Sequence, residues 1–117
     1  MVKEIGFVVY TVKDLQKAKA FYRDVVGLGE PKDLHKAWSE FDVGGTTFAV
    51  VTGGESLGMP PGSSFSVAFE VDNVDAEFKR LKEKGVDINE PFESPTCWAS
   101  FAKDPDGNRF ALHQLKK

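Results

Sequence analysis

The sequence is short of cysteine, of basic runs and of long apolar stretches, and each shortage removes a class of function. Cys97 is the one cysteine among 117 residues, so no intrachain disulfide can form and no cysteine knuckle can hold a metal. Lysine and arginine total 15 against 18 aspartates and glutamates, a formal net charge of −3. With no basic run, the chain is a poor match for a nucleic-acid partner gripped through its phosphates. No stretch approaches the ~18 apolar residues of a membrane span. The amino terminus, Met1-Val2-Lys3-Glu4-Ile5, soon meets Lys13 and Asp14. It lacks the apolar core of a signal peptide. The expectation is a soluble cytoplasmic protein without nucleic-acid or membrane partners.

What the chain does have is aromatic residues and an internal echo. Ten Phe and two Trp are more than a core of this size needs. Phe7-Val8-Val9-Tyr10-Thr11-Val12-Lys13-Asp14-Leu15 lies over Ser66-Val67-Ala68-Phe69-Glu70-Val71-Asp72-Asn73-Val74, an offset of 59 residues. Gly45-Thr46-Thr47-Phe48-Ala49-Val50 lies over Gly107-Asn108-Arg109-Phe110-Ala111-Leu112, an offset of 62. Each copy alone would be marginal, because small units bury too little surface. The reading is one domain of two modules, residues 1–52 and 65–117. Residues 53–64, with six Gly or Pro and three Ser, form the linker between them.

Each module repeats one order of elements. Residues 5–12 and 65–71 read as strands, β-branched and aromatic. Asp14, and Asp72 or Asn73, offer helix N-caps. Leu15, Ala18, Phe21, Tyr22 and Val25 in the first copy, and Val74, Phe78 and Leu81 in the second, recur at helical spacing. Gly27 with Gly29, and Gly85, stop those helices. Residues 31–35 and 87–93 are expected edge strands, the latter interrupted by Pro91 with Pro95 beyond it. Residues 38–43 and 46–52 form a hairpin around Gly44-Gly45, and residues 98–103 and 109–115 form one around Asp104-Pro105-Asp106-Gly107. Strand, helix, then strands, twice over, is an α+β pattern.

A tandem βαβββ unit resembles the vicinal oxygen chelate superfamily, which includes glyoxalase I, ring-cleaving dioxygenases, methylmalonyl-CoA epimerase, and the fosfomycin and bleomycin resistance proteins. The residues that carry the resemblance are Val12-Lys13-Asp14-Leu15, Ala20-Phe21-Tyr22, Val26-Gly27-Leu28 and Asp104-Pro105-Asp106-Gly107-Asn108. It implies two modules curling into a sheet-lined cup with helices outside, around a small-molecule site, and a homodimer. It also implies four metal ligands, His or Glu, from the first and last strand of each module. Those positions fall on Phe7, Ala49, Ser66 and Ala111. A slip of one at Ala49 gives Val50, which is no better. Divalent cations need His, Cys or carboxylate donors, so no metal and no other cofactor is expected.

Strand alternation assigns faces independently. Phe65, Val67, Phe69 and Val71 should pack under the helices, leaving Ser66, Ala68 and Glu70 on the open face. Phe48 and Val50 go inside and Thr47, Ala49 and Val51 outside. Phe110 and Leu112 go inside, and Arg109, Ala111 and His113 outside. Phe41 and Val43 inside send Trp38, Glu40 and Asp42 outside, while Phe101 inside sends Trp98, Ser100 and Ala102 outside. In the first strand, apolar on both sides, the family register puts Phe7, Val9 and Thr11 on the open face. The candidate ligand surface is therefore Phe7, Trp38, Glu40, Ala49, Ser66, Glu70, Trp98, Arg109, Ala111 and His113. Two Trp can sandwich a flat guest or face a cation.

Plainer roles compete. The Trp pair can fill a subunit interface, and Glu40, Glu70 and Arg109 can be a cross-strand ion-pair set. His113 and His35 can be ordinary surface residues. Cys97 has no neighbouring base in sequence to make it a nucleophile. Asp104-Pro105-Asp106-Gly107 and Gly44-Gly45 are turns; no helix follows Gly44-Gly45 to make it a phosphate loop. Three functions follow. The first is metal-free sequestration of an aromatic or cationic small molecule, as in the bleomycin resistance branch. The second is a glyoxalase-like lyase or isomerase, with a metal or with Glu70, His113 or Arg109 in acid–base roles. The third is a scaffold domain whose cup is closed by its own side chains.

Overall fold

The structure is a computed structural model that describes residues 1, 3–64 and 67–116. The chain divides into two compact units, Met1–Ser64 and Phe65–Lys117. Each holds a four-stranded mixed sheet and a helix, an α+β arrangement.

In the first unit the elements are β1 (Val8–Thr11), α1 (Leu15–Ala20), β2 (Lys32–His35), β3 (Trp38–Val43) and β4 (Thr46–Val51). The sheet order is β1-β4-β3-β2. Only the β1–β4 pair is parallel, because the chain crosses back through α1 before it forms the meander. Asp14 caps α1 by accepting the Lys17 N–H at 3.0 Å. The expected uninterrupted helix does not run to Gly27. After Ala20 it widens into a π-helical turn, Phe21–Val26, where the N–H groups of Gly27 and Leu28 both reach the Tyr22 carbonyl. The wider turn lets two consecutive aromatics, Phe21 and Tyr22, both be buried. Tyr22 packs on Phe48 with ring centroids 4.9 Å apart, and Tyr10 meets Phe48 at 5.1 Å. Lys19 of α1 pairs with Asp33 of β2 at 2.9 Å. Asp33 also accepts the buried Ser39 hydroxyl at 2.6 Å. Those two contacts, Ser39 first, hold the Asp33 carboxyl below its usual range.

In the second unit the elements are β5 (Val67–Glu70), α2 (Val74–Glu83), β6 (Phe92–Glu93), β7 (Cys97–Lys103) and β8 (Arg109–Leu115). The order β5-β8-β7-β6 repeats that of the first sheet, again with one parallel pair, β5–β8. Asn73, rather than Asp72, caps α2 through the Ala76 N–H at 2.9 Å. Val74, Phe78 and Leu81 are buried, as their spacing predicts, with Phe69, Phe110 and Leu112 from the sheet. The expected edge strand over 87–93 shrinks to Phe92–Glu93 and an isolated bridge from Ile88 to Ala102. Pro91 lacks the N–H that would continue the ladder between them.

The two hairpins close differently. Gly44 and Gly45 have φ of 60° and 89°, the positive values of a two-residue type I′ turn. The second turn takes five residues, 104–108, because Asn108 is drawn into it. Asp104 Oδ1 accepts the N–H groups of Asp106 and Asn108 at 2.9 and 2.8 Å, and Oδ2 accepts the Asn108 side-chain amide at 3.0 Å. The Asp104 and Asn108 side chains are buried.

Candidate functional site

The face of each sheet away from its helix can be read from the strand register, since directly paired residues share a face. In the first sheet, Val9, Ala49 and Glu40 stand in one row and Thr11, Val51 and Trp38 in the next. Phe7 continues that face of the chain, and its ring meets Trp38 edge to face at 5.2 Å. The indole N–H of Trp38 donates to Glu40 Oε2 at 2.8 Å. So Glu40 orients an indole instead of joining the expected ion-pair set. Phe7, at 51%, is exposed, whereas Ala49 is fully buried. Ala49 stands on a central strand between Val9 and Glu40.

In the second sheet, Ala68, Ala111 and Phe101 form one row and Glu70, His113 and Ala99 the next. Glu70 and His113 are direct partners. His113 Nδ1 lies 2.6 Å from Glu70 Oε1, and the Leu115 N–H donates to Glu70 Oε2 at 2.9 Å. These contacts, the imidazole first, hold the Glu70 carboxyl below its usual range. Ala111, like Ala49, is buried on this face. Arg109 lies at the start of β8 on the same side, opposite Lys103. Ser66 lies outside the described residues.

Trp98 is misplaced by the sequence reading. It pairs with Gln114, and its neighbour Ser100 pairs with Leu112, so Trp98, Ser100 and Ala102 belong to the helix side. Phe101, expected inside, stands on the opposite face, paired with Ala111 and 45% exposed. A four-residue turn would set Phe101 against Phe110. Recruiting Asn108 shifts the register by one and exchanges every side chain of β7 between faces. Trp98 instead lines a pocket of about 220 Å³ with Asn73, Val74, Asp75, Pro91 and Gln114. Its ring lies under the Lys116 ammonium, 4.8 Å from the ring centre, and Lys116 also pairs with Glu93. The Trp98 ring thus already has a cation of its own.

The residues that sequence reasoning missed are Phe101, Phe92, Ala99 and Cys97, all on the free face of the second sheet. Phe92 and Phe101 stack at 5.7 Å with planes 20° apart. The signal that could have found them is the Asp104–Asn108 spacing, which suits a side-chain-closed five-residue turn. Cys97 Sγ sits 3.1 Å from the Ser94 hydroxyl.

Of the four positions where the resembled superfamily holds a metal, the three described ones are Phe7, Ala49 and Ala111, which have no donor atom. Among the described residues no three His, Cys, Asp or Glu side chains converge as a metal site would need. The residues do not fit that metal.

The chain thus repeats one α+β plan, each unit a four-stranded mixed sheet with an alanine on a central strand of its free face. The family model described as Glyoxalase/Bleomycin resistance protein/Dioxygenase superfamily matches residues 4–112, and the chain belongs to that family. It is 32% identical over 124 residues to the uncharacterized protein YetH of Bacillus subtilis (strain 168), covering 97% of this chain and 100% of YetH. Among solved structures it is similar to TnmS3, an antibiotic binding protein from Streptomyces sp. CB03234. That match has 31% identity, covers 98% of each chain and has a TM-score of 0.80. A glyoxalase/bleomycin resistance protein from the same organism is 33% identical, with 92% of this chain and 99% of that one covered and a TM-score of 0.71. Among the described residues no helix is long and apolar enough to cross a membrane.

Proposed function

We propose that this chain is a cytoplasmic small-molecule binding protein that holds an aromatic or cationic guest against the free face of a sheet and acts by sequestration, without a metal. One observation carries the reading. Phe7 and Trp38 meet edge to face, and Glu40 fixes the indole by accepting its N–H. An oriented indole beside a carboxylate suits a flat ring and a positive charge alike. The likeness to TnmS3, an antibiotic binding protein, supports a binding role. The residues assigned are Phe7, Trp38, Glu40 and Ala49 on the first sheet and Glu70, Arg109, Ala111 and His113 on the second; Trp98 leaves the set.

The test is calorimetry and thermal shift against flat aromatic, cationic and glycopeptide-like compounds. Trp38→Ala should weaken binding roughly 3- to 10-fold, whereas Trp98→Ala should leave it unchanged. If no class of compound binds, or if Trp38→Ala binds as well as the parent, the reading fails. Metal analysis should find no stoichiometric divalent ion, and one such ion would overturn the metal-free part. We also propose a homodimer, on the family resemblance; sedimentation at monomer mass would refute it. One observation favours a second reading. Glu70 holds His113 at 2.6 Å in the manner of an oriented general base. Conversion of a bound compound, abolished by His113→Ala, would select that reading.

A further inference from the structure

The free face of the second sheet carries a cluster of which Ala111 alone stands at one of the family's metal positions. Glu70, His113, Ala99 and Phe92 form a row with one residue from each strand, and Ala68, Ala111 and Phe101 form the row beside it. Ala99 and Ala111, between the outer groups of the cluster, are buried. On one side stand Phe92 and Phe101, stacked and 46% and 45% exposed. On the other side stands His113. An ionised carboxylate can only accept hydrogen bonds, so the contact with Glu70 requires His113 Nδ1 to donate. The Leu115 N–H holds the second carboxylate oxygen and keeps Glu70 in place. A neutral imidazole with its proton on Nδ1 keeps a lone pair on Nε2. Among the described residues no partner is found for that nitrogen.

We propose that this cluster is a recognition subsite for a flat aromatic ligand that carries a hydroxyl group. The ring lies against the exposed Phe101 and Phe92, and the hydroxyl donates to His113 Nε2. Glu70 is the positioning residue that fixes the tautomer. The subsite presupposes the small-molecule binding proposed above and adds the chemistry of the ligand.

Two probes separate the two ideas. 2-Naphthol can donate a hydrogen bond, and 2-methoxynaphthalene has the same rings without the donor. The parent should bind 2-naphthol about 5-fold more tightly than the ether. His113→Phe should abolish that preference and still bind the ether, and Phe101→Ala should weaken both probes alike. Nitrogen-15 spectra of the imidazoles should show the Nδ1-protonated tautomer at His113, with Nε2 shifting when 2-naphthol is added; His35→Gln assigns the signals. In Glu70→Gln the tautomer should become mixed and the preference for 2-naphthol should shrink. Equal binding of the two probes, an Nε2-protonated tautomer, or Phe101→Ala altering only the oligomeric state would each overturn the subsite while leaving the binding reading intact. If neither probe binds, the subsite falls, and the binding reading is decided by the cationic and glycopeptide-like compounds.

Discussion

The hairpins β3–β4 and β7–β8 occupy the same place in their sheets, yet they present opposite halves of a similar alternation. The first turns through Gly44-Gly45, and its strands pair Trp38 with Val51 and Glu40 with Ala49. The second turns through five residues, and its strands pair Phe101 with Ala111 and Ala99 with His113. Trp38 thus stands beside a carboxylate on the free face, while Trp98 packs against the helix side. The free face of the second sheet has phenylalanines and an imidazole instead. A repeat in sequence does not guarantee a repeat in surface, because a turn longer by an odd number of residues reverses the parity of the strand before it.

The comparison is broken most directly at the longer turn. Asp104→Ala removes one side chain that accepts three hydrogen bonds, and it leaves the buried Asn108 amide without that acceptor. Urea unfolding should show a loss of about 2–4 kcal/mol, and cross-strand NMR contacts between Phe101 and Ala111 should weaken. A similar test in the first unit is Gly54→Ala. An added Cβ would stand 2.1 Å from Thr11 Oγ1 and 3.0 Å from the Met59 carbonyl. Thr11 is buried, so its packed side chain or the backbone at Gly54 must give, at a cost of about 1–3 kcal/mol. Gly58→Ala would meet nothing within 4 Å and should show only its backbone strain.

The caps sharpen the comparison from the other side, since they are the feature that the units share. Asp14→Ala and Asn73→Ala should each cost about 1 kcal/mol in thermal unfolding. A large inequality between them would mean that the units respond differently to the loss of one helix cap. The smallest effect is expected at Glu70, whose carboxylate is exposed. Its folded-state pKa is lowered by His113 and by the Leu115 N–H. The stabilisation is therefore present above the ordinary carboxylate pKa and is lost as pH falls through the lowered one. Glu70→Gln should melt slightly below the parent at neutral pH, and the gap should close in acid. A gap that widened in acid would contradict the assignment.

Much of the fold was legible because its signals are local. Asp14 and the Asp72-Asn73 step marked helix starts, since a short polar side chain can reach the N–H three residues on. Phe41, Phe48, Phe69 and Phe110 were placed inside by alternation alone, and all are buried. The π-helical turn was not legible, because Phe21 and Tyr22 fit an α-helical stripe nearly as well; burying both rings side by side favours the wider turn. For the candidate surface, Trp38, Glu40, Glu70 and His113 were found on the expected face. Their partners were not, because Trp38–Glu40 depends on side-chain reach and Glu70–His113 on a parallel pairing across 43 residues.

By itself, the sequence determined the two-module α+β pattern, the helix caps and the lack of donors at Phe7, Ala49 and Ala111. Those follow from residue chemistry and short-range spacing. Only the tertiary structure decided that Asn108 joins the turn, that Trp98 faces α2 while Phe101 does not, and that Glu70 holds His113. Each depends on which strand residues lie opposite one another, and alternation assigns a face only once that register is chosen.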